Sequence, residues 1–327
     1  MTHLTRPAKP QAHYRPILLS ALHHVFVKRD VWLFGIFALL LSSGSAIETV
    51  LRAKNGLEQF DAPFFHRLFP FLEPVRQWTD QLAALPVPRA VATAVVLLAL
   101  VLALLIFSAI SKGVIIHGAK ARRGHITMRE LAVHARRRIW PILATDLALK
   151  IALSLCVLIL LAPAMSQTPF LSDLLFMLQA LVGYGLMLLL SVLAIYTLVA
   201  VVNHDARLRD AAGEAWKIFS TYPGASLEMV LILFFLNLLA GVGVLALLLL
   251  LSIPYTVLFL AASASGSLLA TTLSTAITFF IAIALLVVVG GATAAYNYTA
   301  LTLFYEKLRS GRFMSKWHRV RTTRHWF

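Results

Sequence analysis

Asp146 and Lys150, four residues apart in an otherwise apolar run, are the pair in this sequence whose types and spacing could do chemistry. At positions i and i+4 they share one helical face. The lysine side chain leans towards the helix N-terminus, which brings it back to the aspartate. A carboxylate and an ammonium in an apolar medium can relay a proton or line a path for a polar solute. The simpler reading is an internal ion pair that neutralises itself and anchors a neighbouring helix. Gln179 and Asn237 stand in two other apolar runs. An amide there serves first as an interhelical hydrogen bond and only second as a ligand site. Asp146, Lys150, Gln179 and Asn237 together form the candidate intramembrane polar site, because polar groups away from water are costly unless partnered.

Other chemistries find less support. The 11 histidines lie in tails, connectors or the edges of apolar runs. Neither His23-His24 nor His204-Asp205 has the second histidine at i+4 with a glutamate that a zinc site would use, so they read as surface residues. The cluster Asp205, Arg207 and Asp210 lacks the spaced aspartates that hold magnesium in a lipid-headgroup transferase. No glycine-rich phosphate loop occurs, and no serine stands in a nucleophile elbow. Cys156 is the single cysteine, which excludes an intrachain disulfide and a cysteine metal cluster. The expectation is a protein without enzymatic activity, cofactor or metal.

The elements that must position these residues are apolar helices. Of 327 residues, 60% are hydrophobic and 13% charged, against about a quarter charged in a soluble chain, and mean hydropathy is +0.83. Lipid is therefore most of the solvent. The formal charge of +15 does not point to nucleic acid as a partner. The basic residues sit in connectors between apolar runs, as the positive-inside bias produces. The predicted fold is all-α, a polytopic membrane helix bundle of about six transmembrane helices with cytoplasmic amphipathic elbow helices. A basic tail over residues 1–15 precedes a single membrane domain, 16–308, with spans near 31–50, 91–116, 142–162, 174–202, 227–251 and 275–304. A basic and aromatic tail, 309–327, ends the chain. Ser252-Ile253-Pro254 is expected to interrupt the fifth span, with 255–262 as a kinked extension.

Charge fixes the expected orientation. The links at 163–173 and 262–274 contain no Lys or Arg, whereas the N-terminal segment, the links after the second and fourth spans, and the C-terminal tail are basic. Both termini are then cytoplasmic, and the cytoplasmic clusters can attract anionic lipid at about 1 kcal/mol per residue. The connector 51–88 departs from this pattern, with Arg52, Lys54, Arg67 and Arg76 on the outer side among several aromatic residues and prolines. It reads as an interfacial cap. Ser226 is a candidate N-cap, with Glu228 in the first turn of the fifth span, where the helix dipole favours a carboxylate. Gly183 with Gly185, Gly241 with Gly243, and Gly290-Gly291 with Ala294-Ala295 mark expected close helix approaches.

Three amphipathic pieces precede the odd-numbered spans. Ala21-Leu22-His23-His24, Ala132-Val133-His134-Ala135 and Ala215-Trp216-Lys217-Ile218 hold comparable positions. Thr127-Met128-Arg129-Glu130 adds a capping box to the second. The pattern predicts three elbow-plus-hairpin units related as parallel repeats about an axis along the membrane normal. The stretch Ala211-Ala212-Gly213-Glu214-Ala215-Trp216-Lys217-Ile218-Phe219, the N-terminal elbow and the exit Leu303-Phe304-Tyr305-Glu306 resemble the six-helix bacterial proteins related to the membrane domain of glycerophosphodiester phosphodiesterases. That resemblance covers most of residues 17–308 and implies the membrane architecture and a bacterial plasma membrane. It does not imply the hydrolase, which in that family belongs to a separate soluble barrel domain.

Overall fold

A computed structural model describes residues 14–28, 30–40, 87–120, 128–161, 169–264 and 268–311. Among the described residues the fold is all-α and contains no strand. The helices are α1 (Tyr14–Val27), α2 (Asp30–Leu40), α3 (Val87–Lys120), α4 (Met128–Arg137), α5 (Ile139–Leu161), α6 (Pro169–His204), α7 (Leu208–Thr221), α8 (Pro223–Ala264) and α9 (Leu268–Arg309). Five of them, α3, α5, α6, α8 and α9, are long and apolar enough to cross a membrane, and α2 is a shorter apolar helix. The far half of the expected first span, most of the connector 51–88, Thr127, and the outer parts of both tails lie outside the described residues.

The elbows α1, α4 and α7 each lead into an outbound helix, α2, α5 or α8, which is followed by a return helix, α3, α6 or α9. The packing is cyclic. Each outbound helix pairs with its own return helix, α2 with α3, α5 with α6 and α8 with α9. Each elbow rests on the return helix of the preceding unit: α4 on α3, α7 on α6 and α1 on α9. The return helices α3, α6 and α9 touch one another at the centre. This is the arrangement that three parallel repeats about a central axis would give.

The elbow corners repeat the same backbone device. The Lys28 amide donates to the His24 carbonyl (3.1 Å), and the Val31 amide donates to the Lys28 carbonyl (3.0 Å). Arg138 donates to Ala135 (3.1 Å) and accepts from Ile142 (3.1 Å), while Tyr222 donates to Ile218 (3.0 Å) and accepts from Ser226 (3.0 Å). One residue thus closes the elbow and opens the span, supplying the amide and carbonyl partners that helix ends otherwise lack. Aligning these corners sets Ala21, Leu131 and Ala215 in register, all fully or nearly fully buried. The expected register of the middle elbow therefore shifts by one residue, from Ala132 to Leu131. At a period of about 3.6 residues, burial of one face is what separates these two alignments.

Burial is uneven along the helices. The last turns of α3, α6 and α9 are enclosed by the elbows, with Val114, Ile115, Ile116, Val199, Ala200, Val201, Phe304 and Tyr305 all buried. Most of α8 beyond Leu233 and the first half of α9 expose Leu, Ile, Val and Phe side chains, which suits contact with lipid tails. Two glycine expectations part company here. A side chain at Gly291 would run into Ile36 and the Trp32 carbonyl, whereas one at Gly185, Gly241 or Gly243 would meet nothing within 4 Å. Among the described residues those three glycines face no neighbouring helix.

The expected break at Ser252-Ile253-Pro254 does not occur, and α8 continues through Pro254 to Ala264. Proline removes one backbone donor, a loss that a membrane helix tolerates. At about 1.5 Å per residue, α8 and α9 are each about 63 Å long.

Candidate functional site

Asp146 sits in the second turn of α5, six residues after Trp140, whose ring is exposed at the elbow end. That spacing sets it about 9 Å along the helix. One carboxylate oxygen, Oδ2, receives Lys150 Nζ at 2.8 Å, one turn further on the same face. The other, Oδ1, receives Lys112 Nζ from α3. Lys112 is 1% exposed, and the aspartate is its counter-charge in the interior. The cluster thus joins α3 and α5.

The self-neutralising pair expected from sequence is in fact a triad of two lysines around one carboxylate. Lys112 lies within the expected span 91–116 and was not singled out there. The available signal was that it is the one charged side chain between Arg89 and Lys120. Ser108 and Ser111 flank it, and both are buried. The small Gly113 follows: a Cβ there would lie 2.9 Å from Ala135 Cβ and 3.0 Å from Ile142 Cδ1. That close contact holds α3 against the α4–α5 corner and brings Lys112 within reach of Asp146.

The other two candidates do not join this cluster. Asn237 of α8 accepts a hydrogen bond from Asn297 Nδ2 of α9 at 3.1 Å, which ties an outbound helix to its return partner. Asn297 was not singled out in the sequence. Its own carbonyl oxygen is buried without a partner among the described residues. Gln179 belongs to α6, and its side chain lies outside the described residues. The placed candidates therefore serve separate helix contacts rather than one polar path.

A second polar cluster closes the elbow end, where the return helices converge. Lys120 Nζ donates to the Asn203 carbonyl at 2.7 Å. Asn203 Nδ2 donates to Glu306 Oε1 at 3.2 Å, and His204 Nε2 reaches the same oxygen at 3.0 Å. Arg309 Nε pairs with Glu214 Oε1 of α7 at 2.7 Å, and its guanidinium also contacts His204 Nδ1. A histidine donating through Nε2 and accepting at Nδ1 is the neutral tautomer. Lys120 and Arg309 stand at helix C-termini, where cations offset the negative end of the dipole. His117 and His134 stack with ring centroids 4.0 Å apart, and His24 is buried.

His24, buried, and His204, half-buried, correct the surface reading, because helices distant in sequence pack around them, whereas His23 is exposed as expected. Glu214 of α7 is engaged by Arg309. Among the described residues no group of three or more histidine, cysteine or acidic side chains could hold a metal ion. Asp205, with φ of 54°, takes the left-handed conformation that aspartate tolerates better than most residues. It turns the chain from α6 towards α7 and pairs with Arg138.

Ser226 is not an N-cap, since α8 begins at Pro223. Its hydroxyl is buried in the seam with α6, where Tyr196 donates to it at 3.0 Å. Glu228 accepts a hydrogen bond from the Tyr14 hydroxyl of α1. Burial, with that carboxylate beside it, raises the Tyr14 pKa well above the ordinary phenol value, so the hydroxyl stays a donor.

No protein-family model matches the chain, and no curated protein or solved structure matches it either.

Proposed function

We propose that this chain is a non-enzymatic integral membrane protein with a scaffold, assembly or envelope-associated role. Its setting on this reading is a bacterial plasma membrane, with the elbow end and both termini on the cytoplasmic side. The observation that carries the reading is the separation of the intramembrane polar groups: Asp146 is consumed by Lys112 and Lys150, and Asn237 by Asn297. A solute path needs such groups to line one passage, and these spend their bonds on different helix pairs. The basic connectors support the orientation. The resemblance to the six-helix bacterial proteins supports the setting.

The outer faces of the elbows are the surfaces such a role would use. Val133 stands among exposed Arg129, Arg136 and Arg137 on α4, and Trp216 is exposed on α7. Photo-crosslinking from Val133 and Trp216 in cells is expected to trap discrete protein adducts. The purified protein in liposomes is expected to support neither solute flux nor lipid scrambling that depends on Asp146. Flux or scrambling abolished by Asp146→Asn, with no adducts from the elbows, would favour a small-solute transporter or a lipid-handling protein instead.

A further inference from the structure

The triad on α3 and α5 does not balance. Asp146 carries one negative charge and is bonded to two ammonium groups, Lys112 Nζ and Lys150 Nζ. Among the described residues no other acidic side chain pairs with either lysine. Lys112 is sealed inside, so the surplus positive charge resides at Lys150, whose side chain is 29% exposed. An uncompensated ammonium in hydrocarbon costs several kcal/mol or so.

Lys150 reaches back one turn to Asp146, so its ammonium lies about 9 Å along α5 from Trp140. A headgroup drawn slightly below its usual level reaches that depth.

We propose that the partly exposed Lys150, backed by Lys112 and Asp146, forms a binding site for a singly charged oxyanion at the α3–α5 seam. The lipid-facing side of Lys150 offers it to a phosphodiester headgroup, and the same chemistry accepts a free phosphate. Asp146 fixes both lysines, and the anion supplies the second negative charge. The site is independent of any scaffold role.

The test uses the full chain in nanodiscs of phosphatidylcholine with or without phosphatidylglycerol, released into detergent and weighed by native mass spectrometry. The wild type is expected to retain one phosphatidylglycerol. Lys150→Met, which leaves the Lys112–Asp146 pair intact, is expected to lower that retention by about tenfold or more, the scale of one charge-assisted hydrogen bond. Lys150→Arg and the exposed-surface control Arg129→Gln are expected to retain the lipid. Release of the lipid by inorganic phosphate, absent with chloride at equal ionic strength, would assign the site to the free ion. Retention unmoved by release with phosphate would assign it to the headgroup. Equal retention by wild type and Lys150→Met, or equal loss in Lys150→Met and Arg129→Gln, would overturn the proposal. Thermal melting in detergent checks that each variant is folded.

Discussion

The seam between α9 and α2 and the seam between α3 and α5 occupy equivalent places in the cycle and are built by opposite means. Each joins a return helix to the outbound helix of the next unit. At α9–α2 the backbones nearly touch: a Cβ on Gly35 would stand 1.9 Å from the Gly291 carbonyl oxygen. At α3–α5 the helices stand further apart, and Lys112 and Asp146 fill the seam. The third seam, α6–α8, is the loosest of the three and is bridged by the Tyr196 hydroxyl reaching Ser226. One architecture therefore tolerates glycine contact, buried charge or a long hydroxyl at the same joint. The cyclic order belongs to the elbows and corners, and the seams are free to differ. Among the described residues the one seam holding charges is the one whose chemistry exceeds the needs of packing.

That contrast can be broken at each joint. Gly35→Val should have the largest effect, since the clash is with backbone that cannot rotate away; a loss of about 4 kcal/mol or more, or failure to assemble, is expected in reversible unfolding in detergent. Asp146→Asn should cost about 3–5 kcal/mol, because it leaves Lys112 buried without its counter-charge. Adding Lys112→Met to Asp146→Asn should restore most of that loss in the same assay. No recovery in the double variant would mean that the aspartate stabilises the seam by something other than charge. Tyr196→Phe removes one hydroxyl contact and leaves Ser226 unpartnered, for about 1 kcal/mol. Asn237→Leu should be the mildest, at about 0.6 kcal/mol, the average for a polar contact between membrane helices.

What could be read from sequence was what is local or periodic. Asp146 and Lys150 share a face through helix geometry alone, and the elbows announce themselves by amphipathic spacing. Apolar run length located the long helices, though α8 ran on through Pro254. Lys112 and Asn297 escaped notice, and His204 was read as a surface residue, because their partners lie on other helices, over 30 residues away in sequence. The middle elbow was misaligned by one residue, since Leu131 stands where the other units have alanine. Only the corner hydrogen bonds reveal that. Nothing local distinguishes the glycines at 35 and 291, which meet a neighbour, from those at 241 and 243, which do not.

The length of the α8–α9 hairpin has a consequence for the membrane itself. Each helix is about 63 Å long, and its apolar exposed surface runs through most of the part away from the elbows. A hydrocarbon layer about 30 Å thick covers about 39 Å of a helix tilted by about 40°, the upper end of what is usual. The surplus has to be absorbed by a thicker patch of bilayer or by another apolar surface beyond it. Measured against lipids of increasing chain length, the protein would act as a thickness gauge, most stable where the sheet best matches its longest hairpin.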